Sequence, residues 1–371
     1  MIINGSVSIR RFLIEDKDGV LANIDDGEMS LGIRRCLFQN INAERGEKES
    51  FGWVNAFDLL NGSVLFQDMN IGDRRIVLGT RKDKKAIPPA ILKAKKKEKF
   101  AEVKAERKME RLPRQMRIAI EEALVLELLK ETSPTTALSD SMWIIDKGVL
   151  LVGATGKNAE RVAELFESTF DLRAVPAYPG ILASHDADTM AALENDGVTF
   201  ASTIDTIQYF ADYAQDFMTW LLVRTIKSDW FANANVVSEV NSQMRFDVVE
   251  SIVFQDPVND REKFQIKGDN LSESQDVVHH LNEGKMVCGM KIMLGIGENT
   301  WTTGIDTSFD LKGAKLPVPK LADEFEFASM RADAILEFFQ TFDLLFKSFL
   351  VKRRDAAGWE YEKKTWKSLE I

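Results

Sequence analysis

Recognisable arrangements of side chains that could carry catalysis or hold a metal ion are few in this sequence. The histidines are His185, His279 and His280. On a helix the adjacent His279 and His280 would point about 100° apart, so they cannot easily share one metal ion. Acidic pairs such as Asp186/Asp188 and Asp256/Asp260 have no basic or histidine partner at a recognisable spacing, and HExxH and GxSxG motifs are absent. We therefore expect no catalytic residues, no metal and no cofactor.

The segment from Gly153 to Asn158 has the composition of a phosphate-binding loop, since it contains Gly156-Lys157 between a predicted strand and a predicted helix. A P-loop needs the pattern GxxxxGK[ST], because its backbone N–H groups wrap the phosphate and its hydroxyl holds magnesium. Here Leu151 occupies the first glycine position and Asn158 occupies the hydroxyl position. We interpret this segment as an ordinary turn from strand to helix.

Positive charge is concentrated in residues 81–117. This window holds 15 Lys or Arg and five acids, a net charge of +10, whereas the whole chain of 371 residues carries −10. All residues outside the window therefore sum to −20. The acidic total alone argues against a nucleic-acid partner, but binding of a polyanion depends on where the basic residues lie.

Within this window the charges separate by sign on a helical projection of about 100° per residue. One side carries Lys93, Lys97, Lys104, Lys108 and Arg111, flanked by Lys96 and Arg107. The opposite side carries Glu98, Glu102, Glu106 and Glu110. Further basic residues extend the stripe at both ends, namely Lys82, Lys84, Lys85, Arg114 and Arg117. Such a stripe suits a phosphate backbone, because lysine contacts release condensed counterions without reading base sequence. The alternative is a solvated helix in which Lys95 and Lys99 pair with neighbouring glutamates.

Two long helices must position this stripe. Pro88 and Pro89 favour a helix start, because the first helical turn does not need its N–H groups. Pro113 opens a second helix, which ends before Ser133-Pro134. The first helix has no wide apolar stripe, so it either bridges substructures or projects into solvent.

The remaining pattern predicts an α+β protein made of several small α/β subdomains with antiparallel sheets and a protruding pair of long charged helices. In the first half we predict strands at 6–16, 63–66, 75–79 and 148–153 and helices at 31–41 and 158–170. In the second half we predict an irregular region at 181–215 and a hairpin at 286–309 with a five-residue loop at 295–299. A core helix at 335–349 and a partly frayed tail from Lys352 complete the chain. No apolar run approaches the roughly 20 residues of a membrane span, no signal peptide is recognisable and the two cysteines lie far apart. We therefore expect a cytoplasmic protein.

Several short motifs follow one another along the chain, namely 51–54 (FGWV), 81–91 (RKDKKAIPPAI), 142–146 (MWIID), 157–160 (KNAE), 266–272 (IKGDNLS), 284–287 (GKMV) and 327–336. Their order resembles that of the RdgC family of recombination-associated proteins. The resemblance spans about residues 1–180 and 245–350, with insertions at 181–215 and 232–245 and an extended tail after 350. No single motif is specific, and the resemblance depends on their collinear order.

The resemblance implies a non-enzymatic protein that binds double-stranded DNA without sequence preference. It also implies a ring-shaped homodimer around the DNA, association with the nucleoid and restraint of a recombinase. In the loop where family members carry an aromatic interface residue, this chain reads 133–138 (SPTTAL), which leaves Leu138 as the dimer-interface candidate. In the second interface region only Lys267 carries over, as a DNA contact.

The predicted division of the chain follows the composition and the resemblance. It comprises an N-terminal α+β part (1–80), a charged helical arm (81–138), a βα continuation (139–180), an insertion (181–245), a C-terminal α+β part (246–350) and a charged tail (351–371). Two other functions remain open. One is a metal-dependent nuclease using Asp/Glu pairs, and the other is a protein-interaction module that does not bind DNA.

Overall fold

The structure is a computed structural model that describes residues 2–16, 19, 26–60, 69–200, 202–227, 244–257 and 262–369. Among these residues, no helix combines the length and the apolar character that crossing a bilayer requires. The predicted strand at 63–66 lies outside the described residues.

The first half of the chain alternates strands with helices. Its elements are β1 (Val7–Glu15), α1 (Asp26–Arg35), β2 (Glu49–Val54), β3 (Arg75–Lys84), α2 (Pro89–Glu106), α3 (Arg114–Glu131), β4 (Thr135–Ile144), β5 (Val149–Val152), α4 (Gly156–Phe170) and β6 (Arg173–Pro176). The predictions for β1, α2, α3, β5 and α4 are therefore confirmed. The predicted helix at 31–41 is wrong after Arg35, because the chain turns extended there and Leu37 bridges Trp53 of β2.

The second half begins with four helices and continues into an antiparallel sheet. Its elements are α5 (Pro179–Ser184), α6 (Ala187–Asn195), α7 (Thr203–Tyr209), α8 (Tyr213–Lys227), β7 (Met244–Gln255), β8 (Lys263–Gly268), α9 (Gln275–Asn282), β9 (Met286–Ile296), β10 (Asn299–Asp306), β11 (Leu311–Lys315), α10 (Glu324–Arg354) and α11 (Ala356–Trp366). Mixed helices and antiparallel strands confirm the α+β class.

Three predictions for this half are wrong. The region 181–215 is helical, because Asp186 and Ser202 accept backbone hydrogen bonds as N-caps of α6 and α7. The β9–β10 hairpin has a two-residue turn in place of a five-residue loop, since Asn299 pairs with Ile296. The tail after Lys352 forms the end of α10 and all of α11, which Asp355 caps.

The strands follow one continuous order, β2-β3-β4-β5-β1-β11-β10-β9-β7-β8, with β6 paired to β1. β1 joins the two halves of the sheet. Its start, at Val7 and Ile9, pairs with β11, whereas Arg10 to Leu13 pair with β5. β1, near the start of the chain, therefore pairs directly with β11, near its end.

The core lies on both faces of this sheet. On one face, α1 and α4 cover Trp53 and Trp143, and Trp143 packs edge-on against Phe166 at 5.0 Å. On the other face, α8 and α10 supply an aromatic cluster around Phe217. The ring centre of Phe217 lies 5.1–5.5 Å from those of Phe309, Phe342, Phe346 and Phe349. The prediction that the 335–349 helix belongs to the core is confirmed.

A buried ion pair connects the two halves. Arg10 of β1 forms two hydrogen bonds with Asp310, at 2.8 and 2.7 Å, and both residues are almost fully buried. The carboxylate of Asp310 also accepts the backbone N–H of Gly156 at the start of α4. The position that a phosphate would occupy in a P-loop is thus filled by a carboxylate of the same chain. This contact supports the interpretation of 153–158 as a plain turn.

A buried carboxylate anchors the N-terminal residues. Asp140 of β4 is fully buried and accepts the backbone N–H groups of Ile2 and Ile3, at 2.8 and 2.9 Å. Burial raises the pKa of Asp140, although these hydrogen bonds oppose the shift. Gly153 is required beside it, because a Cβ atom there would lie 2.1 Å from Asp140 Oδ1.

Candidate nucleic-acid interface

The basic segment forms a helical hairpin inserted between two adjacent strands. β3 and β4 pair antiparallel up to Lys84 and Thr135, and α2 and α3 connect these strand ends. We call residues 89–131 the arm. At about 1.5 Å per residue, each of its 18-residue helices is roughly 27 Å long.

The root of the arm is held by a buried carboxylate. Asp83 of β3 accepts hydrogen bonds from Arg81, at 2.7 and 3.0 Å, and from the Thr136 hydroxyl at 2.7 Å. The guanidinium of Arg81 lies over the Phe38 ring and, by its hydrogen bonds, holds the pKa of Asp83 below its ordinary value. Lys85 donates to the Leu129 carbonyl at 2.8 Å, so it stabilises the end of α3. Its ammonium is therefore engaged within the protein.

α2 contains no buried residue, as expected for a helix that is polar nearly all round. On its acidic side, Lys95 pairs with Glu98 at 3.3 Å and Lys99 pairs with Glu102 at 2.8 Å. These are the pairs with neighbouring glutamates that the alternative of a solvated helix predicts for Lys95 and Lys99. They leave the other side of the helix as the surface where positive charge accumulates.

Three lysines of α2 carry this positive side. Lys93 and Lys97 are exposed and Lys104 is half-buried, and none of them forms an ion pair with any residue that the structure describes. Lys96 differs, because its ammonium pairs with Glu121 of α3. The role of Glu121 is not recognisable from the sequence, because this pair depends on how the two helices align. Lys93 and Lys104 lie about 16 Å apart along the helix.

The predicted stripe is interrupted at the tip of the arm. α2 ends at Glu106, Arg107 is its C-cap and Lys108 adopts a left-handed φ of 50°. Leu112 is buried and fixes the turn before α3. The helical projection of Lys108 and Arg111 is therefore wrong, because both residues follow the end of the helix.

The tip nevertheless remains strongly basic. Its cations are Arg107, Lys108, Arg111, Arg114 and Arg117, all of them exposed. Arg114 and Arg117 lie in the first turn of α3, which has no acidic residue and no side-chain cap. Cations at a helix N-terminus oppose the helix dipole. Their placement is therefore unfavourable for helix stability and suitable for contact with an external anion.

The other predicted site residues lie apart from this surface. Lys82 pairs with Glu49 at 3.6 Å, whereas Lys84 is exposed at the end of β3. Lys267 is exposed on β8, and seven strands separate β8 from β3 in the sheet order. Leu138 lies in β4 opposite Arg81, so the prediction that it belongs to a loop is wrong.

Potential metal ligands do not converge. Among the described residues, no group of three or more His, Cys, Asp or Glu side chains could hold a metal ion. His279 and His280 both contact Glu283, at 3.3 and 3.5 Å. Asp186 and Asp188 both lie near Arg354, at 3.8 and 3.6 Å. His185 is the C-cap of α5, and Asp260 lies outside the described residues.

Comparison with protein families gives a match over residues 27–192. The matching family model is described as "Putative exonuclease, RdgC". The matched span covers the arm, its root and the strands and helices from α1 to α6. It therefore includes every predicted DNA-binding residue except Lys267.

Proposed function

Residues 27–192 of this chain belong to the RdgC family, and on this premise we propose that the protein binds double-stranded DNA without sequence preference. The arm supplies the main contact surface. Lys93, Lys97 and Lys104 meet phosphates along α2, and the arginines of the tip extend the contact. Lys82, Lys84 and Lys96 contribute beside this surface, and Lys267 contributes from β8, apart from the arm.

The observation that carries the proposal is the separation of charge on α2. Glu98 and Glu102 are engaged by Lys95 and Lys99, so these two glutamates do not neutralise the lysines on the other side of the helix. An exposed helix of this kind buries little apolar surface and adds little to the core. Contacts with phosphates would give affinity with little dependence on base sequence, because they do not reach the base edges.

We extend this proposal to the assembly and to the cellular role. Two subunits form a ring-shaped homodimer around the duplex, with Leu138 at one interface. The charge of −20 outside residues 81–117 would keep DNA away from the acidic parts of the surface. The protein associates with the nucleoid and, by enclosing the duplex, restrains recombinase-driven homologous recombination. It catalyses no reaction itself.

The family description favours one rival, an exonuclease. Such an enzyme needs a device that activates water or stabilises the leaving group, and two metal ions held by acidic residues are a common one. Incubation of end-labelled duplex with the protein and Mg²⁺ or Mn²⁺ separates the two functions. Our proposal predicts intact DNA and a stable complex, whereas shortened strands would establish the nuclease.

Charge reversal on the arm tests the binding surface. We expect the Lys93→Glu/Lys97→Glu/Lys104→Glu variant to lose roughly a hundredfold or more in affinity for a random-sequence duplex, since three phosphate contacts become repulsive. The matched control reverses Lys320, Lys347 and Lys352, which are exposed outside the arm. Equal affinity of the two variants in a gel shift would reject the arm as the DNA-binding surface. A protein-interaction module would bind no duplex in either form.

A further inference from the structure

A second basic surface lies on the C-terminal half of the sheet, the strands β11-β10-β9-β7-β8. Alternate residues of these strands, such as Ile252, Phe254 and Ile292, point into the core. The residues between them point to the other face, where side chains are exposed or half-buried. This outer face carries Lys263, Lys267, Lys291, Lys312 and Lys315.

Strand register aligns three of these lysines in a row across the sheet. Gly304 of β10 pairs with Lys312 on one side and with Lys291 on the other. Met290 pairs with Ile252, which places Lys291 beside Ser251, and Ser251 pairs with Lys267. With neighbouring strands about 4.8 Å apart, the row crosses five strands and is about 20 Å long. That length corresponds to roughly six nucleotides of one DNA strand at 3.4 Å each.

The floor between these lysines is low because its residues are small. Gly289 and Gly304 lie on this face, together with Ser251, and they line a depression of about 500 Å³. A Cβ atom at either glycine would meet only ordinary contacts, at 3.4 Å or more. Packing therefore does not require glycine here. A glycine inside a strand often marks a place where another backbone approaches closely.

Acids neutralise only part of this face. Lys291 pairs with Glu250, and Lys312 pairs with Asp306 at 2.6 Å. Lys263, Lys267 and Lys315 form no ion pair within the described part of the chain. A net positive charge therefore remains on the face of a chain that is acidic overall.

We infer that this lysine-edged trough is a second nucleic-acid contact surface, which binds the sugar-phosphate backbone of duplex DNA. The inference rests on the proposed function and adds a surface distant from the arm in the sheet order. The lysines contact phosphates, and the glycine floor lets the backbone lie close to the sheet. A binding site with two separated surfaces needs a longer duplex than the arm alone.

Two variants test the trough by different means. Lys263→Gln/Lys267→Gln/Lys315→Gln removes three charges, and Gly304→Leu fills the trough without changing charge. Affinity for a random-sequence duplex of 40 base pairs is measured by fluorescence anisotropy at several salt concentrations. We expect the triple variant to bind about ten to a hundredfold more weakly, with a salt slope shallower by about 2.7, and Gly304→Leu to weaken binding with the slope nearly unchanged. Lys320→Gln/Lys347→Gln/Lys352→Gln is the matched control.

A measurement on the unaltered protein guards against variants that fold poorly. DNA should protect Lys263, Lys267 and Lys315 from an amine-acetylating reagent, while Lys320 and Lys347 stay reactive. The inference is wrong if the triple variant binds like the control and DNA does not protect Lys263, Lys267 and Lys315 in the unaltered protein. If the arm variant binds weakly in the same experiments, the arm proposal stands. If the unaltered protein binds no duplex, both are wrong. Protection by an acidic protein but not by DNA would also overturn the inference.

Discussion

At the scale of single residues, the Arg10–Asp310 pair is a buried connection between distant parts of the sequence. Asp310 holds the pKa of the Arg10 guanidinium above its ordinary value, chiefly through their hydrogen bonds. The same guanidinium donates to Glu160 at 3.0 Å, but the Glu160 side chain is half-exposed. A buried charge that loses its partner is costly, whereas an exposed partner contributes little.

We therefore predict that Asp310→Ala lowers the free energy of unfolding by about 3 kcal/mol or more, because Arg10 keeps its charge in a buried site. The same change removes the carboxylate from the N-terminus of α4. Urea denaturation followed by tryptophan fluorescence measures the effect. The matched change Glu160→Gln should cost less than about 1 kcal/mol. Equal costs for both variants would show that the buried pair does not hold the halves together.

Some side-chain partners follow from the sequence and others do not. Lys95 and Lys99 pair with the neighbouring Glu98 and Glu102, as the alternative of a solvated helix predicted, because residues three apart are neighbours on any helix. The partner of Lys96 is different, since Glu121 lies 25 positions away and meets it only when α2 and α3 pack in one register. Apart from Lys267, the lysines of the sheet trough were missed for the same reason. They belong to three separate strands, and only the pairing register brings them into a row.

At the scale of elements, the last helices show why a charged composition misled the prediction. The tail was expected to fray, but α11 buries Trp359 and Trp366 against α10. Trp359 packs edge-on against Phe349, with ring centres 5.3 Å apart. The two tryptophans lie seven residues apart, on one face of a helix. That spacing was available in the sequence, although the charged residues around it obscured the signal.

Trp359 gives a direct test of this element. We predict that Trp359→Ala lowers the free energy of unfolding by about 3–5 kcal/mol, because a large buried ring leaves a cavity beside Phe349. Thermal unfolding followed by circular dichroism measures the change. The control Tyr361→Ala removes a side chain of the same helix that is 71% exposed, and it should have almost no effect. A frayed tail would make the two variants indistinguishable.

The arm was the element best predicted, because the sequence signals that define it are local. Prolines at both helix starts and the sign-separated charges act within a few residues, so they can be recognised without knowing the fold. The end of α2 at Glu106 was missed because Lys108 takes a left-handed conformation without being glycine. The tip is consequently a compact basic turn, and the continuous part of the stripe is limited to α2.

At the scale of the whole molecule, β1 makes the two ends of the chain interdependent. It pairs with β5 and β6 through one part of its length and with β11 through another. No local sequence pattern indicates that a strand near residue 10 contacts residue 311. The sequence supported the α+β class and most elements, but it did not specify this central junction. The predicted domain boundaries stay a prediction.

The proposed ring makes a prediction about mass. Two chains of 41.9 kDa should give a particle of about 84 kDa in light scattering without DNA, and this mass plus that of one duplex once DNA is added. We expect Leu138→Asp to shift the particle toward the single-chain mass, because a charge in an apolar contact is costly to bury. Thr136→Asp is not a suitable control, since Thr136 donates to Asp83. Ala137→Asp is the suitable control, since it places the same charge on the adjacent exposed residue. A monomeric unaltered protein would exclude the ring.

Electrostatic binding of duplex DNA by the arm is the central claim, and the salt dependence of affinity tests it most directly. The affinity of the unaltered protein and of Lys93→Gln/Lys97→Gln/Lys104→Gln for one random-sequence duplex is measured across a series of salt concentrations. We predict a steep negative slope of log affinity against log salt, and a slope shallower by about 2.7 in the variant, at roughly 0.9 for each lost phosphate contact. Identical slopes for the two proteins, or no measurable binding at low salt, would contradict the claim.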